Sequence, residues 1–211
     1  MRLHFHYCPS GFSNCYLLGT DISTEESQQE IPREAIIVDP GIMNSSLLSI
    51  IEENEYLLKG VLITHDHQHH IRGLRAIQRV YNTKIYAINP LVGGYRAELV
   101  RDGEIINIGA FKTEVFYVPG HSADSAVFRI DRLLFTGDAM SAGLMGTTAS
   151  SYSAATLVSA LRRKILSLPG DYTILPGHGP PSSLEAERRF NLDINSFEQF
   201  KNRRPAFRLG F

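Results

Sequence analysis

The chain has 211 residues, 43% of them hydrophobic, which suits one sizeable core and is short for two ordinary domains, so a single domain over 1–211 is expected. Its 21 Lys and Arg balance 22 Asp and Glu, which excludes a general electrostatic pull toward nucleic acid or an anionic membrane. The opening Met1-Arg2-Leu3-His4-Phe5-His6-Tyr7 lacks the apolar run of a signal peptide, and no later stretch approaches the roughly 20 apolar residues of a bilayer span, so a soluble cytoplasmic protein is expected.

Residues 2 to 7 and 14 to 18 read as two strands joined by the turn Pro9-Ser10-Gly11. Cys8 and Cys15 are too few for a disulfide framework and read as reduced, packed thiols. His4 and His6 share one face of the first strand. That face admits a metal, but the plainer expectation is an edge strand with its polar side to water. Residues 20 to 33 are polar without a periodic apolar face and read as an exposed hairpin loop.

Ala35-Ile36-Ile37-Val38, closed by Asp39-Pro40-Gly41, suits a strand buried on both faces. A helix follows at about 44 to 56, capped by Asn44 or Ser45, with Leu47, Leu48, Ile51 and Leu58 near helical spacing. Strand 61 to 63 then runs into Thr64-His65-Asp66-His67-Gln68-His69-His70, and a helix of about 70 to 81 carries the stripe Leu74, Ile77 and Val80. A strand at 84 to 88, a weakly helical stretch at 90 to 99 and a turn at 101 to 104 lead into a β region. That region comprises 105 to 108, 113 to 118, 125 to 130 and 133 to 135, ending in Thr136-Gly137-Asp138. A long loop with Gly143 and Gly146 precedes a helix of about 153 to 167. Strand 172 to 175 then meets Pro176-Gly177-His178-Gly179, and a last helix containing Glu185 to Arg189 is capped by Ser182 or Ser183. The tail with Lys201, Arg203, Arg204 and Arg208 reads as a solvated face, an anionic partner being the lesser reading.

Six of the eight histidines lie in the 64–70 cluster or in the turns holding His121 and His178. Imidazole is the commonest protein ligand for divalent transition metals, so this concentration points to metal. The cluster, His121, Asp138 and His178 fall at four successive strand ends, and four such loops on one rim can surround an ion.

In that order these four motifs resemble the metallo-β-lactamase superfamily. Asn14 to Leu18, Val38-Asp39-Pro40-Gly41, Pro176 to Pro180 and Glu187-Arg188-Arg189 are similar to its short glyoxalase II-like branch in particular. The resemblance implies an αββα sandwich, two mixed sheets face to face with helices outside. It implies one or two divalent ions, zinc first, with iron or manganese as alternatives. His65, His67 and His121 would hold one ion, His70 and His178 a second, and Asp138 would bridge them.

His69 stands where the family has an Asp that ligates the second metal, so this ligand set carries one carboxylate fewer and a weaker second site is expected. His69 could itself ligate, at about 2.0 to 2.1 Å, or shuttle a proton. The working function is hydrolysis of a small ester or thioester, a small-molecule substrate, by hydroxide generated on the metal, with Asp138 and His69 as catalytic groups. Glutathione is a weaker guess, because only 33 residues follow His178 and Gly146 is followed by Thr147-Thr148 rather than the Arg of short relatives. Asp66, at a variable position of the motif, is expected to face outward or brace the loop. Two alternatives stand beside the hydrolase. One is a mononuclear iron oxidoreductase of the persulfide dioxygenase type using His65, His121 and Asp138; the other is a non-catalytic metal-binding protein.

Overall fold

The computed structural model describes residues 1–21 and 32–196, and its strands form two sheets that face each other beneath an outer layer of helices. Most of the expected 20–33 loop, and the tail with Lys201, Arg203, Arg204 and Arg208, lie outside the described residues.

In the first sheet β1 (Arg2–Cys8), β2 (Ser13–Gly19) and β3 (Arg33–Val38) are antiparallel neighbours. Helix α1 (Ser45–Glu53) then carries the chain to β4 (Tyr56–Leu62), parallel to β3. Asn44 caps α1, its side-chain oxygen accepting from Leu47 N at 3.0 Å. Helices α2 (Gln68–Ile71) and α3 (Leu74–Val80) lead to β5 (Lys84–Ala87), parallel to β4. The hairpin of β6 (Leu91–Val92) and β7 (Tyr95–Arg96) precedes the edge strand β8 (Glu98–Leu99).

The second sheet opens with the antiparallel meander β9 (Ile105–Ile108), β10 (Phe111–Tyr117), β11 (Ala126–Ile130) and β12 (Leu133–Gly137). A small hairpin, β13 (Met140–Ser141) and β14 (Leu144–Met145), comes next. Helix α4 (Ser151–Ala160) continues as a π-helical turn, Leu161–Ile165. Then β15 (Thr173–Pro176) pairs parallel with β12, β16 (Ser182–Ser183) closes the sheet and α5 (Leu184–Phe190) follows, capped by Ser183.

Period-2 alternation divides the buried strands between two seams. Leu17, Ile37 and Val61 pack outward against Leu47, Ile51, Leu74 and Ile77 of the helices. Tyr16, Leu18, Ile36, Val38 and Leu62 face inward to Val115, Phe128, Phe135 and Leu175 of the other sheet. Beyond that sheet, Val127, Leu134 and Ile174 meet Leu157, Leu161 and Leu184. This is the expected four-layer αββα sandwich, and it explains why Ile36, Ile37 and Val38 are apolar without interruption: both faces are covered. Among the described residues, no helix is long and apolar enough to cross a membrane.

The structure corrects several sequence expectations. The stretch 90 to 99 is three short strands rather than weak helix, because its backbone pairs with itself and with β5. The expected 70 to 81 helix is two helices. It breaks where Gly73 N donates to Pro40 O at 2.7 Å, docking the chain on the Asp39-Pro40 turn, and Val80 is exposed rather than part of the stripe. Leu58 lies in β4, not on α1. The first strand is an edge, but its faces are reversed: His6 is buried and His4 Nε2 lies 3.1 Å from Tyr56 OH, while Leu3, Phe5 and Tyr7 are exposed. The layer covering that edge is the helical one, where Cys8 joins the core. Both cysteines are free and buried, as expected.

Phe135 is fully buried between the sheets, whereas Phe190 is 68% exposed. Phe135→Ala is expected to lower the unfolding free energy by about 3–5 kcal/mol, and Phe190→Ala by less than about 0.5 kcal/mol, in urea titrations followed by circular dichroism. Equal effects would contradict the assignment of the inter-sheet seam.

Candidate metal centre

Strand direction assembles this site. β10 and β12 are both antiparallel to β11 and β15 is parallel to β12, so the loops carrying His121, Asp138 and His178 leave the second sheet at the same end. In the first sheet parallel β3 and β4 deliver Asp39 and His65 together. The two rims are joined by hydrogen bonds at the start of β2. Asn14 N donates to Gly177 O at 2.7 Å, Asn14 Nδ2 to the carbonyls of Pro176 and Gly179 at 2.9 and 2.7 Å, and Tyr16 OH to Pro176 O at 2.7 Å.

Two donor groups result, sharing one carboxylate. His65, His67, His121 and Asp138 offer ligand atoms that all lie within 4.8 Å of one another, as do those of His70, Asp138 and His178. The Asp138 carboxylate stands 3.8 Å from His65 Nε2, 3.6 Å from His121 Nε2, 3.4 Å from His178 Nε2 and 3.4 Å from His70 Nε2. His67 presents its other nitrogen, with Nδ1 at 3.1 Å from His121 Nε2.

What aims these nitrogens is the partner of the opposite ring nitrogen. His121 Nδ1 donates to Thr147 O and His178 Nδ1 to Phe12 O, each at 2.8 Å. A carbonyl can only accept, so in the neutral rings Nδ1 carries the hydrogen and Nε2 keeps its lone pair. His70 Nδ1 lies 3.1 Å from Asp39 Oδ2. Thr64 Oγ1 donates to Asp39 Oδ2 at 2.6 Å and is thereby left to accept from His65 Nδ1 at 3.1 Å. Asp39 also receives Thr64 N at 2.8 Å, so one buried carboxylate orients two rings.

These residues fit a cation. Among the described residues the buried His65 Nε2, His70 Nε2 and Asp138 Oδ1 make no well-formed hydrogen bond, the last two facing each other at 3.4 Å, an expensive arrangement that a shared positive ion would satisfy. The charges agree. Burial, reinforced by His70, pushes the His65 pKa down to about 3, so this ring is neutral and ready to ligate at physiological pH. Burial also opposes charge on His70, but Asp39 and Asp138 outweigh it and raise that pKa to about 10. Asp138 is likewise opposed by burial, yet His70, His65 and His178 hold its carboxyl well below the usual range. The surroundings therefore favour positive charge between Asp39 and Asp138.

His69 stands apart from both donor groups. Its ring is exposed and packs against Gly11, where an added Cβ would fall 2.6 Å from His69 Nδ1, and its centroid is 6.2 Å from that of His178. Its carbonyl accepts from Ser13 Oγ at 2.6 Å. Asp66 braces the loop, as expected: its carboxylate accepts from Gly93 N at 3.2 and 3.3 Å, and its own N donates to Asp124 Oδ2 at 2.9 Å. The cavity of about 840 Å³ lined by Phe111, Arg129, Asp131, Arg132 and Tyr172 contains no histidine and lies where β12 and β15 begin, at the opposite end.

Sequence reasoning missed Asp39, Thr64, Thr147, Asn14 and the Phe12 carbonyl as supports. Asp39 alone had a usable signal: it follows the buried run Ala35 to Val38, two elements before the cluster, on the same rim.

Residues 9–178 match the family model of the metallo-beta-lactamase superfamily. An uncharacterised protein of Mycobacterium tuberculosis is 31% identical across 84% of this chain and 91% of its own. The hydroxyacylglutathione hydrolase GloC of Haemophilus influenzae is 28% identical across 78% of this chain and 89% of its own. In fold, the chain is similar to the crystal structure of ETHE1 from Myxococcus xanthus, with a TM-score of 0.78 at 24% identity over 97% of this chain and 93% of that one.

The donor groups are unequal, because the second has only His70 and His178 besides the shared Asp138. Calorimetric titration with zinc is expected to show one tight ion and a second at least about tenfold weaker, with His69→Asp narrowing the gap. Two equally tight ions in the unaltered chain would contradict this.

Proposed function

This chain belongs to the metallo-beta-lactamase superfamily, and on that premise we propose that it is a metal-dependent hydrolase of a small ester or thioester, zinc being the first ion to test. The observation that supports this reading most is the set of buried donor atoms on His65, His70 and Asp138 that make no well-formed hydrogen bond among the described residues, with rings already turned so that their nitrogens converge. His65, His67, His121 and Asp138 would hold the tighter ion, and His70, His178 and the same Asp138 the weaker one. A divalent ion so held lowers the pKa of water from about 15.7 toward 7 and polarises a carbonyl, which is the chemistry of ester and thioester hydrolysis.

The protein's own groups supply orientation and proton handling. Asp138 sits among four imidazoles and orients what lies between them. His69, exposed beside His178, is the group we assign to carry a proton between the site and solvent. Asp66 is occupied with Gly93 and is not assigned as a base. A relative named hydroxyacylglutathione hydrolase puts acyl-glutathione thioesters first among the substrates to test. The loop after Gly146 offers Thr147 and Thr148 rather than a cation, so a glutathione carboxylate would need another partner.

A second reading has its own support. The first donor group is complete while the second is short of a ligand, and His65, His121 and Asp138 form a two-His, one-carboxylate set suited to iron(II). A persulfide dioxygenase activity follows from that reading. Iron content after anaerobic purification, with oxygen uptake on glutathione persulfide, separates it from the hydrolase.

Zinc-loaded protein is expected to hydrolyse at least one member of a panel of thioesters, esters and lactones, to lose the activity to a chelator and to regain it with zinc. His67→Ala or Asp138→Asn should reduce kcat/KM by at least about a hundredfold, more than loss of an outer support would. Zinc-loaded protein inert toward the whole panel would reject the hydrolase.

A further inference from the structure

The hairpin that follows Asp138 is gripped from outside the metal centre. Glu187 is fully buried on α5, and its carboxylate accepts from Gly143 N at 3.0 and 3.2 Å, from Ser182 Oγ at 2.5 Å and from Asn191 Nδ2 at 2.6 Å. Two neighbours grip the same hairpin: Leu192 N donates to Gly143 O at 2.8 Å, and Asp193 Oδ2 accepts from Met145 N at 3.0 Å. A buried carboxylate is costly unless its lone pairs are met, and here donors from three separate segments meet them.

The hairpin's other end bears on the donor groups. Gly146 N donates to Ala139 O at 3.2 Å, and an added Cβ at Gly146 would lie 1.7 Å from Asp138 O and 3.3 Å from His121 Nδ1. The backbone at 146 is therefore wedged between the bridging acid and a histidine ring. The next residue supplies the carbonyl that takes the His121 Nδ1 hydrogen at 2.8 Å. Moving the hairpin moves both.

We propose that Glu187 is a positioning residue for the metal centre: by anchoring Gly143 it holds Gly146 and Thr147, and through them sets the His121 ring and the Asp138 backbone. The inference rests on the metal-centre reading above. Its effect reaches the donors through the 139–147 backbone, and no contact between Glu187 and a ligand is needed.

The test uses the full chain and three variants, reading zinc affinity by competition with a chromophoric chelator and ligand geometry from the visible spectrum of the cobalt(II)-loaded protein. Glu187→Ala is expected to bind zinc about 10- to 100-fold more weakly and to shift the cobalt bands, the size typical for loss of an outer support. Glu187→Gln keeps one acceptor for Gly143 without the charge and should fall between it and the unaltered chain. The control is Arg188→Ala, which loses bonds from the same helix to the carbonyls of Leu166, Leu168 and Gly170, all outside the hairpin. It should lower Tm while leaving zinc affinity and the cobalt spectrum in place. A folded Glu187→Ala with unchanged affinity and spectrum overturns the inference, as does an Arg188→Ala that loses zinc equally. If Glu187→Ala does not fold, Glu187→Gln decides by the same two readouts. An unaltered chain that binds neither ion brings down the metal-centre reading itself, and the inference with it.

Discussion

Everything at the rim depends on a hydrogen bond made away from it. Each of four imidazoles has its Nδ1 occupied, by Thr147 O, Phe12 O, Asp39 or the Thr64 hydroxyl, which turns Nε2 inward toward Asp138. The rings satisfy those inward atoms only in part: His121 Nε2 lies 3.1 Å from His67 Nδ1 and His70 Nε2 3.4 Å from Asp138 Oδ1, while His65 Nε2 has no hydrogen-bond partner among the described residues. The site is thus organised around positive charge, and the raised pKa of His70 between Asp39 and Asp138 is the same preference met by a proton.

The fold serves this constraint by controlling where strands end. Two parallel pairs, β3 with β4 and β12 with β15, put loops from both sheets on one rim, and Asn14 and Tyr16 tie those loops across the seam. The core between the sheets, including Phe128 and Phe135, lies directly behind and keeps the two rims in register. A position as remote in sequence as Glu187 belongs to the same scheme, because the hairpin it holds leads straight into the His121 support.

The donors themselves were legible in the sequence because histidine density at strand ends has few other physical explanations. The fold class was legible through the resemblance that the four motifs carry; Ile36-Ile37-Val38, apolar throughout, indicated only a strand buried on both faces. The supports were not. Thr147 and Phe12 act through main-chain carbonyls, which every residue possesses, so no residue type marks them. Periodicity failed where tertiary pairing overrode it: residues 90–99 pair as short strands, and the expected 70–81 helix is interrupted at Gly73 by the Pro40 carbonyl. On β1, alternation correctly grouped His4 with His6 but could not say which face the helices would cover.

The most direct test is a crystal structure of the protein soaked in zinc, with the ion located by its anomalous scattering. An ion within about 2.0–2.1 Å of His65 Nε2, His67 Nδ1 and His121 Nε2, beside the Asp138 carboxylate, is the predicted result. Rings turned to present the opposite nitrogens, or a soaked crystal with no ion among them, would contradict the account at its base.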